Sequence, residues 1–223
     1  MPIHLNDWFP VWLSLRVALL STVIVAITSL PLAWVMAKKR FWGRDLLEAA
    51  ITLPLVLPPS VVGYGLLVLI GVHGPLGSFL NQFGLSLVFT WVAVVIAATV
   101  VAFPLMYQSA RAAFTSVNPG LEKAARTLGA GELRIFFTVT LPLAWPGIMS
   151  GLVLAFARAI GEFGATLMVA GNIPGKTQTI PLAIYFAVES GDTATANALV
   201  GIITVFCFLL VFWVNRWNKK HLH

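Results

Sequence analysis

The chain has 223 residues, of which 59% are hydrophobic and only 10% are charged, whereas a soluble domain carries about 25% charged residues. With a mean hydropathy of +0.91, this composition indicates a membrane protein and excludes a disordered chain, a nucleic-acid-binding domain and a disulfide-stapled secreted module. The single cysteine, Cys207, lies in an apolar run and is expected to be a small buried thiol.

Five apolar stretches are long enough to cross a bilayer, because about 20 helical residues cover about 30 Å of hydrocarbon. The predicted fold class is therefore all-α, a polytopic membrane protein of one domain (1–223) without repeats or linkers. The stretch 180–188 is too short to cross and is expected to be an external or re-entrant helix, with a sixth span as the alternative. The five predicted spans are 8–37, 46–72, 85–107, 143–170 and 194–214.

The basic residues indicate the orientation of these spans. Four follow span one, four follow span three and three lie near the C-terminus, which makes eleven of the fourteen Lys and Arg residues. Because basic loops stay in the cytoplasm, we expect the N-terminus outside and the C-terminus inside. Five spans fit that arrangement.

Span two contains three prolines, Pro54, Pro58 and Pro59. Proline removes a backbone donor and breaks a helix, and the freed carbonyls must then be buried in protein or face a wet cavity. Two interpretations stay open at this stage: a kinked helix with no further role, or a break that lines a translocation pathway.

The longest polar connection, 108–142, is predicted to lie in the cytoplasm and to contain a short amphipathic helix. Asn118 is a good N-cap, Pro119 suits the first helical position, and Gly129 suits the C-terminal end. Such a short helix is marginal alone, so its apolar stripe must dock on its own bundle, the membrane surface or a partner protein. The stripe consists of Leu121, Ala124, Ala125 and Leu128.

The segment LEKAARTLGAGELRIFFTVTLP resembles the cytoplasmic loop of permease subunits of ATP-binding-cassette (ABC) importers. The family pattern is Glu-Ala-Ala, three residues, Gly, nine residues, Ile, any residue, Leu-Pro. Lys123 replaces the Glu, with Glu122 adjacent, and Val139 replaces the Ile. The resemblance implies that this helix docks into a groove of a cytoplasmic ATPase and transmits its closure to the membrane helices. The implied coupling residues are Leu121, Glu122, Ala124, Ala125, Leu128, Gly129, Leu141 and Pro142.

Three further segments, LPLVLPPSVVGYGLL, LAFARAIGEFGAT and GNIPGKTQTIP, are similar to the molybdate branch of these permeases; GEFGA is shared with tungstate and sulfate relatives, which stay as alternative substrates. The resemblance covers about residues 14–214. It implies a type I importer fold, a homodimer with two ATPase subunits and an external oxyanion-binding protein, and location in the bacterial inner membrane. The chain would be no enzyme and hold no cofactor, because ATP would bind to the partner.

Span four carries two charges, Arg158 and Glu162, spaced i, i+4. Charges inside a span are expensive and mark functional hypotheses. Two roles are open: a structural pair between the two side chains, or an arginine that lowers the barrier for a dianionic oxyanion while Glu162 holds it. The two charges and the three prolines are the candidate pathway residues.

Small residues recur every four positions in the same span, at Gly147, Gly151, Ala155 and Ala159. This spacing lets two helix backbones approach closely in a membrane. It predicts a packing face.

The sequence lacks the residue patterns that nucleotide binding, metal binding, intramembrane catalysis or ion-coupled transport would need. The stretch 170–177 loosely matches a phosphate loop, but it follows a predicted span and contains Pro174. The four histidines are scattered without metal-ligand spacing. An intramembrane enzyme needs clustered titratable groups, and an ion-coupled transporter usually shows internal repeats; the sequence has neither pattern.

Overall fold

A computed structural model describes residues 8–221, and at 213–215 and 217–221 it describes the backbone alone. His4 and His223 lie outside the described residues. The described part is almost entirely helical, which confirms the all-α fold class. The helices are α1 Phe9–Lys38, α2 Arg44–Val56, α3 Pro59–Ile70, α4 Pro75–Asn81, α5 Trp91–Ser116, α6 Pro119–Thr127, α7 Glu132–Ile135, α8 Leu141–Ile160, α9 Gly164–Ala170, α10 Ile180–Glu189 and α11 Thr193–His221.

Within residues 8–221, four helical runs are long and apolar enough to cross a membrane: α1, α5, Glu132–Ile160 and, from α11, the stretch Thr193–Phe212. The helices α2 and α3 make a fifth crossing only as a broken pair, because they meet at 115°. The structure therefore supports four or five spans, with span two interrupted.

The break in span two lies at Leu57 and Pro58, both of which are extended, with ψ angles of 143° and 138°. Each residue precedes a proline, and a following proline disfavours the helical conformation. Pro59 then begins α3, where its missing N–H costs nothing. The predicted break is confirmed, but Pro54 lies inside α2 and does not form it.

Two predicted spans have wrong boundaries. Span four is not one helix over 143–170: the helical run starts at Glu132, passes through a π turn at Phe136–Thr140, ends at Ile160, and is separated from α9 by Gly161 to Phe163. Span three begins at Trp91 rather than at 85, because Phe89 has a positive φ of 59° and its N–H is bonded to the carbonyl of Val169 at 3.0 Å. Mostly apolar residues continue through both places, 161–163 and 85–90, so hydropathy did not locate these helix ends.

The central helix α5 packs against α1 and α8. A Cβ on Gly147 would lie 2.6 Å from the Cβ of Ala113, and one on Gly151 would lie 2.7 Å from the Cβ of Ser109. Ala155 and Ala159 are buried on the same side of α8. The predicted packing face of small residues is therefore confirmed, and it faces α5.

The ten-residue helix α10 spans about 15 Å, half the hydrocarbon thickness, as predicted for the stretch 180–188. Its first N–H donates to the hydroxyl of Ser14 on α1 at 2.8 Å. In the loop before it, the carbonyl of Ile173 accepts from the N–H groups of Lys176, Thr177 and Gln178. These donors are already used within the loop, so they do not form a phosphate cradle.

Candidate functional site

The predicted cytoplasmic helix is present as α6. The side chain of Asn118 accepts a hydrogen bond from the N–H of Gly120 at 2.8 Å, which caps the first turn. At the other end, Gly129 has a φ of +83°, and the N–H of Ala130 reaches the carbonyl of Ala125 at 3.1 Å. This left-handed glycine ends the helix and turns the chain into α7.

The apolar stripe of α6 faces away from the bundle. Leu121 is 48% exposed and Leu128 is 88% exposed, and Ala124 is exposed as well, while Ala125 is half-buried. A protein's own helices would have covered these leucines if the stripe docked on them. The sequence allowed this stripe to dock on its own bundle, on the membrane surface or on a partner protein. The structure excludes the bundle and leaves the other two.

Glu122 points the other way and joins α6 to two membrane helices. Its carboxylate lies 2.8 Å from the Nζ of Lys38 at the end of α1 and accepts a hydrogen bond from the hydroxyl of Thr140 at 2.7 Å. Burial raises the pKa of Glu122, but hydrogen bonds from Lys38 and Thr140, with the charges of Lys38 and Arg126, outweigh it and hold the pKa below its usual range. The carboxylate is thus a charged link between α6, α1 and the π turn.

Further ion pairs join other helices. Arg126 donates two hydrogen bonds to Glu132, at 2.6 and 3.0 Å, and so joins α6 to α7. Arg111 on α5 forms an ion pair with Glu48 on α2. Of the last two motif residues, Leu141 packs against the core and Pro142 is exposed in the first turn of α8. Both residues lie just after the π turn, so they belong to α8 and not to α6.

The two helix breaks meet in space. A Cβ on Gly164 would lie 2.7 Å from the Cβ of Pro59, and a Cβ on Gly63 would lie 2.8 Å from the Cα of Ala165. The half-helices α3 and α9 therefore lie backbone to backbone, beginning at the same point. Pro59 belongs to this junction, whereas Pro54 lies earlier, inside α2.

The Arg158–Glu162 pair lies at the same junction. An Nη of Arg158 is 2.7 Å from one carboxylate oxygen of Glu162, and the other oxygen accepts the N–H of Ala165 in the first turn of α9 at 2.7 Å. Glu162 follows the end of α8, so the pair bridges the break rather than lying on one helix. The glutamate side chain is 2% exposed and the arginine side chain 28%, so the arginine is the more accessible partner of the pair.

The sequence did not indicate a role for Lys38, Thr140, Gly63, Gly164 or Ala165. The available signal for Gly164 was its small size within the stretch GEFGA, because small residues let membrane helices approach closely. Lys38 entered only as a cytoplasmic marker, and no signal in the sequence pointed to Thr140.

Comparisons with known proteins agree with this architecture. Residues 29–223 match the family model described as "Binding-protein-dependent transport system inner membrane component". The chain is 47% identical over 222 residues to the "Putative molybdenum transport system permease protein YvgM" of Bacillus subtilis, covering 98% of this chain and 97% of that one. It is 44% identical to the "Molybdenum transport system permease protein ModB" of Escherichia coli K12, covering 96% and 94%.

Among solved structures, the inward-facing MetNI methionine ABC transporter has a chain that superposes with a TM-score of 0.73, covering 95% of this chain and 94% of that one. The identity of 18% makes this a likeness of fold, that of a type I importer permease. The family model spans most of the chain, including the polar connection 108–142 and both helix breaks. The chain therefore belongs to the binding-protein-dependent inner membrane transport components and is the membrane-spanning permease subunit of an ABC importer, with ATP hydrolysis carried by a separate subunit.

Proposed function

We propose that this permease carries molybdate across the bacterial cytoplasmic membrane. The observation that supports it most is the 44 to 47% identity, over nearly the whole chain, to permeases named for molybdenum transport. Tungstate and sulfate are the competing substrates, because all three are tetrahedral dianions. Selectivity among them would come mainly from the external binding protein.

We propose that the working assembly contains two copies of this subunit embedded in the lipid bilayer, two cytoplasmic ABC ATPases and one external oxyanion-binding protein. The positive-inside distribution supports an external N-terminus and a cytoplasmic C-terminus. The chain binds no cofactor in this proposal, since ATP binds to the partner.

The exposed stripe of α6 is the proposed docking surface for the ATPase. Leu121 and Leu128 supply apolar contact, Ala124 and Ala125 permit close approach, and Gly129 ends the helix. Glu122, held by Lys38 and Thr140, would carry ATPase closure into α1, and Leu141 and Pro142 would carry it into α8. The two-state bundle then shifts between outward and inward openings.

The junction of the two helix breaks is the proposed pathway element. Arg158 forms an ion pair with Glu162 at this junction, and such pairing is how intramembrane charges are tolerated. A passing dianion would compete with Glu162 for the guanidinium of Arg158, whose side chain is 28% exposed. Pro58 and Pro59 place α3 beside that turn, while Pro54 would contribute only to the shape of α2.

Uptake of radiolabelled molybdate tests the substrate. Cells lacking this gene, with the partner genes intact, would be compared with cells carrying the wild-type gene, with excess sulfate or tungstate as competitor. Gene-dependent uptake that sulfate does not suppress is the expected result, and relative competition separates molybdate from tungstate. Absence of gene-dependent uptake with all partner proteins present would reject the proposed substrate.

A further inference from the structure

Two cavities adjoin at the end of α1 that carries Lys38, and both are lined by Trp34, Glu132 and Phe136. One is an apolar groove of about 480 Å³ between α1 and the helical run that starts at Glu132. The other is a polar cavity of about 470 Å³. The groove is lined further by Ile27, Leu30, Pro31, Leu133 and Phe137.

The apolar groove lies at the depth of the inner leaflet. Ile27 and Trp34 precede Lys38 by eleven and four residues, which places them about 17 and 6 Å from that end of the helix. One leaflet of hydrocarbon is about 15 Å thick. Ile27 is 68% exposed and Phe137 is 62% exposed, so the groove is open on the side that faces away from the bundle. Its assignment to the inner leaflet rests on the orientation proposed above.

The polar cavity carries a net positive charge. Its lining has three cationic side chains and two carboxylates. Both carboxylates are neutralised internally, Glu122 by Lys38 and Glu132 by Arg126. The excess charge is that of Lys39, which lines the cavity next to Lys38. A headgroup with one negative charge would balance it, whereas a zwitterionic headgroup would not.

We propose that the paired cavities form a binding site for an anionic glycerophospholipid of the inner leaflet. The acyl chain lies in the apolar groove, and the phosphodiester lies in the polar cavity near Lys39. Basic pockets between membrane helices on the cytoplasmic side are suited to anionic headgroups. Trp34 and Phe136 line both cavities and so join the two halves of the site.

The site adjoins the coupling segment. Phe136 belongs to the π turn and packs edge-on against Trp34, with ring centroids 5.4 Å apart. Turns of π helix occur often at functional sites, and this one connects α7 to α8. A lipid against Phe136 would stabilise one arrangement of the turn, so lipid charge would influence coupling between ATPase and transport.

Lipid retention by the purified complex of this chain with its ATPase tests the proposal. The complex is placed in nanodiscs of equal phosphatidylglycerol and phosphatidylcholine, and retained lipids are counted by native mass spectrometry. Phosphatidylglycerol should be enriched. Lys39→Gln should lower that enrichment about fivefold, the effect of one juxtamembrane cation, and Ile27→Trp should abolish retention by filling the groove.

Matched control positions lie on α1 and just after its end. Val23 is 54% exposed one turn from Ile27 and outside the groove lining, and Arg40 is an exposed cation next to Lys39 and outside the polar cavity. Val23→Trp and Arg40→Gln should leave the enrichment unchanged. Equal retention of both lipids, or equal effects of the two tryptophans, would overturn the proposal. Dissociation of the two permease copies in the Ile27→Trp complex would also overturn the proposal, because the groove would then be a contact between subunits. Because the readout is lipid binding, its failure is distinct from failure of molybdate transport.

Discussion

Gly164 lies against Pro59 so closely that a Cβ on the glycine would be 2.7 Å from the proline Cβ and 3.5 Å from its carbonyl carbon. The two residues begin α9 and α3, the half-helices that follow the breaks in spans four and two. Gly164 does not have a left-handed backbone. A glycine is required here because a side chain would clash with Pro59. The breaks therefore form one structural unit, and this unit holds the buried carboxylate of Glu162.

Replacing Gly164 with alanine should separate α9 from α3. The atom that would clash is a carbon of a rigid proline ring, so the backbone has to move, and overpacking of this kind costs about 1 to 3 kcal/mol. We expect a lower unfolding temperature for the purified chain and reduced molybdate uptake in cells.

Gly65 provides the matched control for that substitution. It lies on α3, and a Cβ there meets nothing within 4 Å. Gly65→Ala should leave uptake unchanged and stability equal or slightly higher, because alanine favours the helix by up to about 1 kcal/mol. Wild-type unfolding and uptake in Gly164→Ala would show that the close contact is not needed.

Local sequence signals predicted local features well. The cap at Asn118, the end of α6 at Gly129, the break before Pro59 and the small-residue face of α8 all appear where the pattern placed them. Each depends on the backbone preference or size of residues close in the chain. No knowledge of the rest of the fold was needed.

Features that depend on distant residues were not predictable in the same way. The start of α5 moved from 85 to Trp91 because Phe89 pairs with Val169, eighty positions away. The partners of Glu122 are likewise remote, at Lys38 and Thr140. Hydropathy measures neither contact, so the span boundaries and the partners of Glu122 required the structure.

Arg158→Gln should reduce molybdate uptake about tenfold or more, because a hydrogen bond from a charged group contributes about 1.5 to 3 kcal/mol. The single variant also leaves Glu162 buried without its partner, which destabilises a protein by about 3 to 5 kcal/mol. Uptake, complex assembly and thermal unfolding would be measured together.

The double variant Arg158→Gln, Glu162→Gln separates the two roles of the pair. It removes the unpaired buried charge, so stability should recover, while uptake should remain low if Arg158 guides the anion. Recovery of both stability and uptake in the double variant would make the pair purely structural.

Glu122→Gln should weaken the link between α6, α1 and the π turn. The charged hydrogen bonds lost there contribute about 2 kcal/mol, so we expect a lower unfolding temperature and ATP hydrolysis that is less tightly coupled to uptake. Glu132→Gln is the control, because Glu132 and Arg126 are 65% and 50% exposed and an ion pair in water stabilises a protein little. Equal effects of the two variants would contradict the assigned role.

The same carboxylate should make stability depend on pH. The pKa of folded Glu122 lies below its ordinary value of 4.5, so the charged form stabilises the fold above that pH. This contribution is lost as the pH falls below 4.5 and through the lower folded pKa. Unfolding temperatures measured across that range should fall more steeply for the wild type than for Glu122→Gln, and parallel curves would refute the prediction.

Leu128→Ser should weaken binding of the ATPase without affecting the fold. Leu128 is 88% exposed, so the substitution should change the free energy of unfolding by no more than about 0.5 kcal/mol. Burial of a leucine in a partner's groove contributes about 1.5 to 3 kcal/mol, which corresponds to a loss of affinity of about tenfold or more. Phe83, 66% exposed on the predicted external side, supplies the control: Phe83→Ser should retain the ATPase. Unchanged ATPase affinity in Leu128→Ser would leave the membrane surface as the place where this stripe docks.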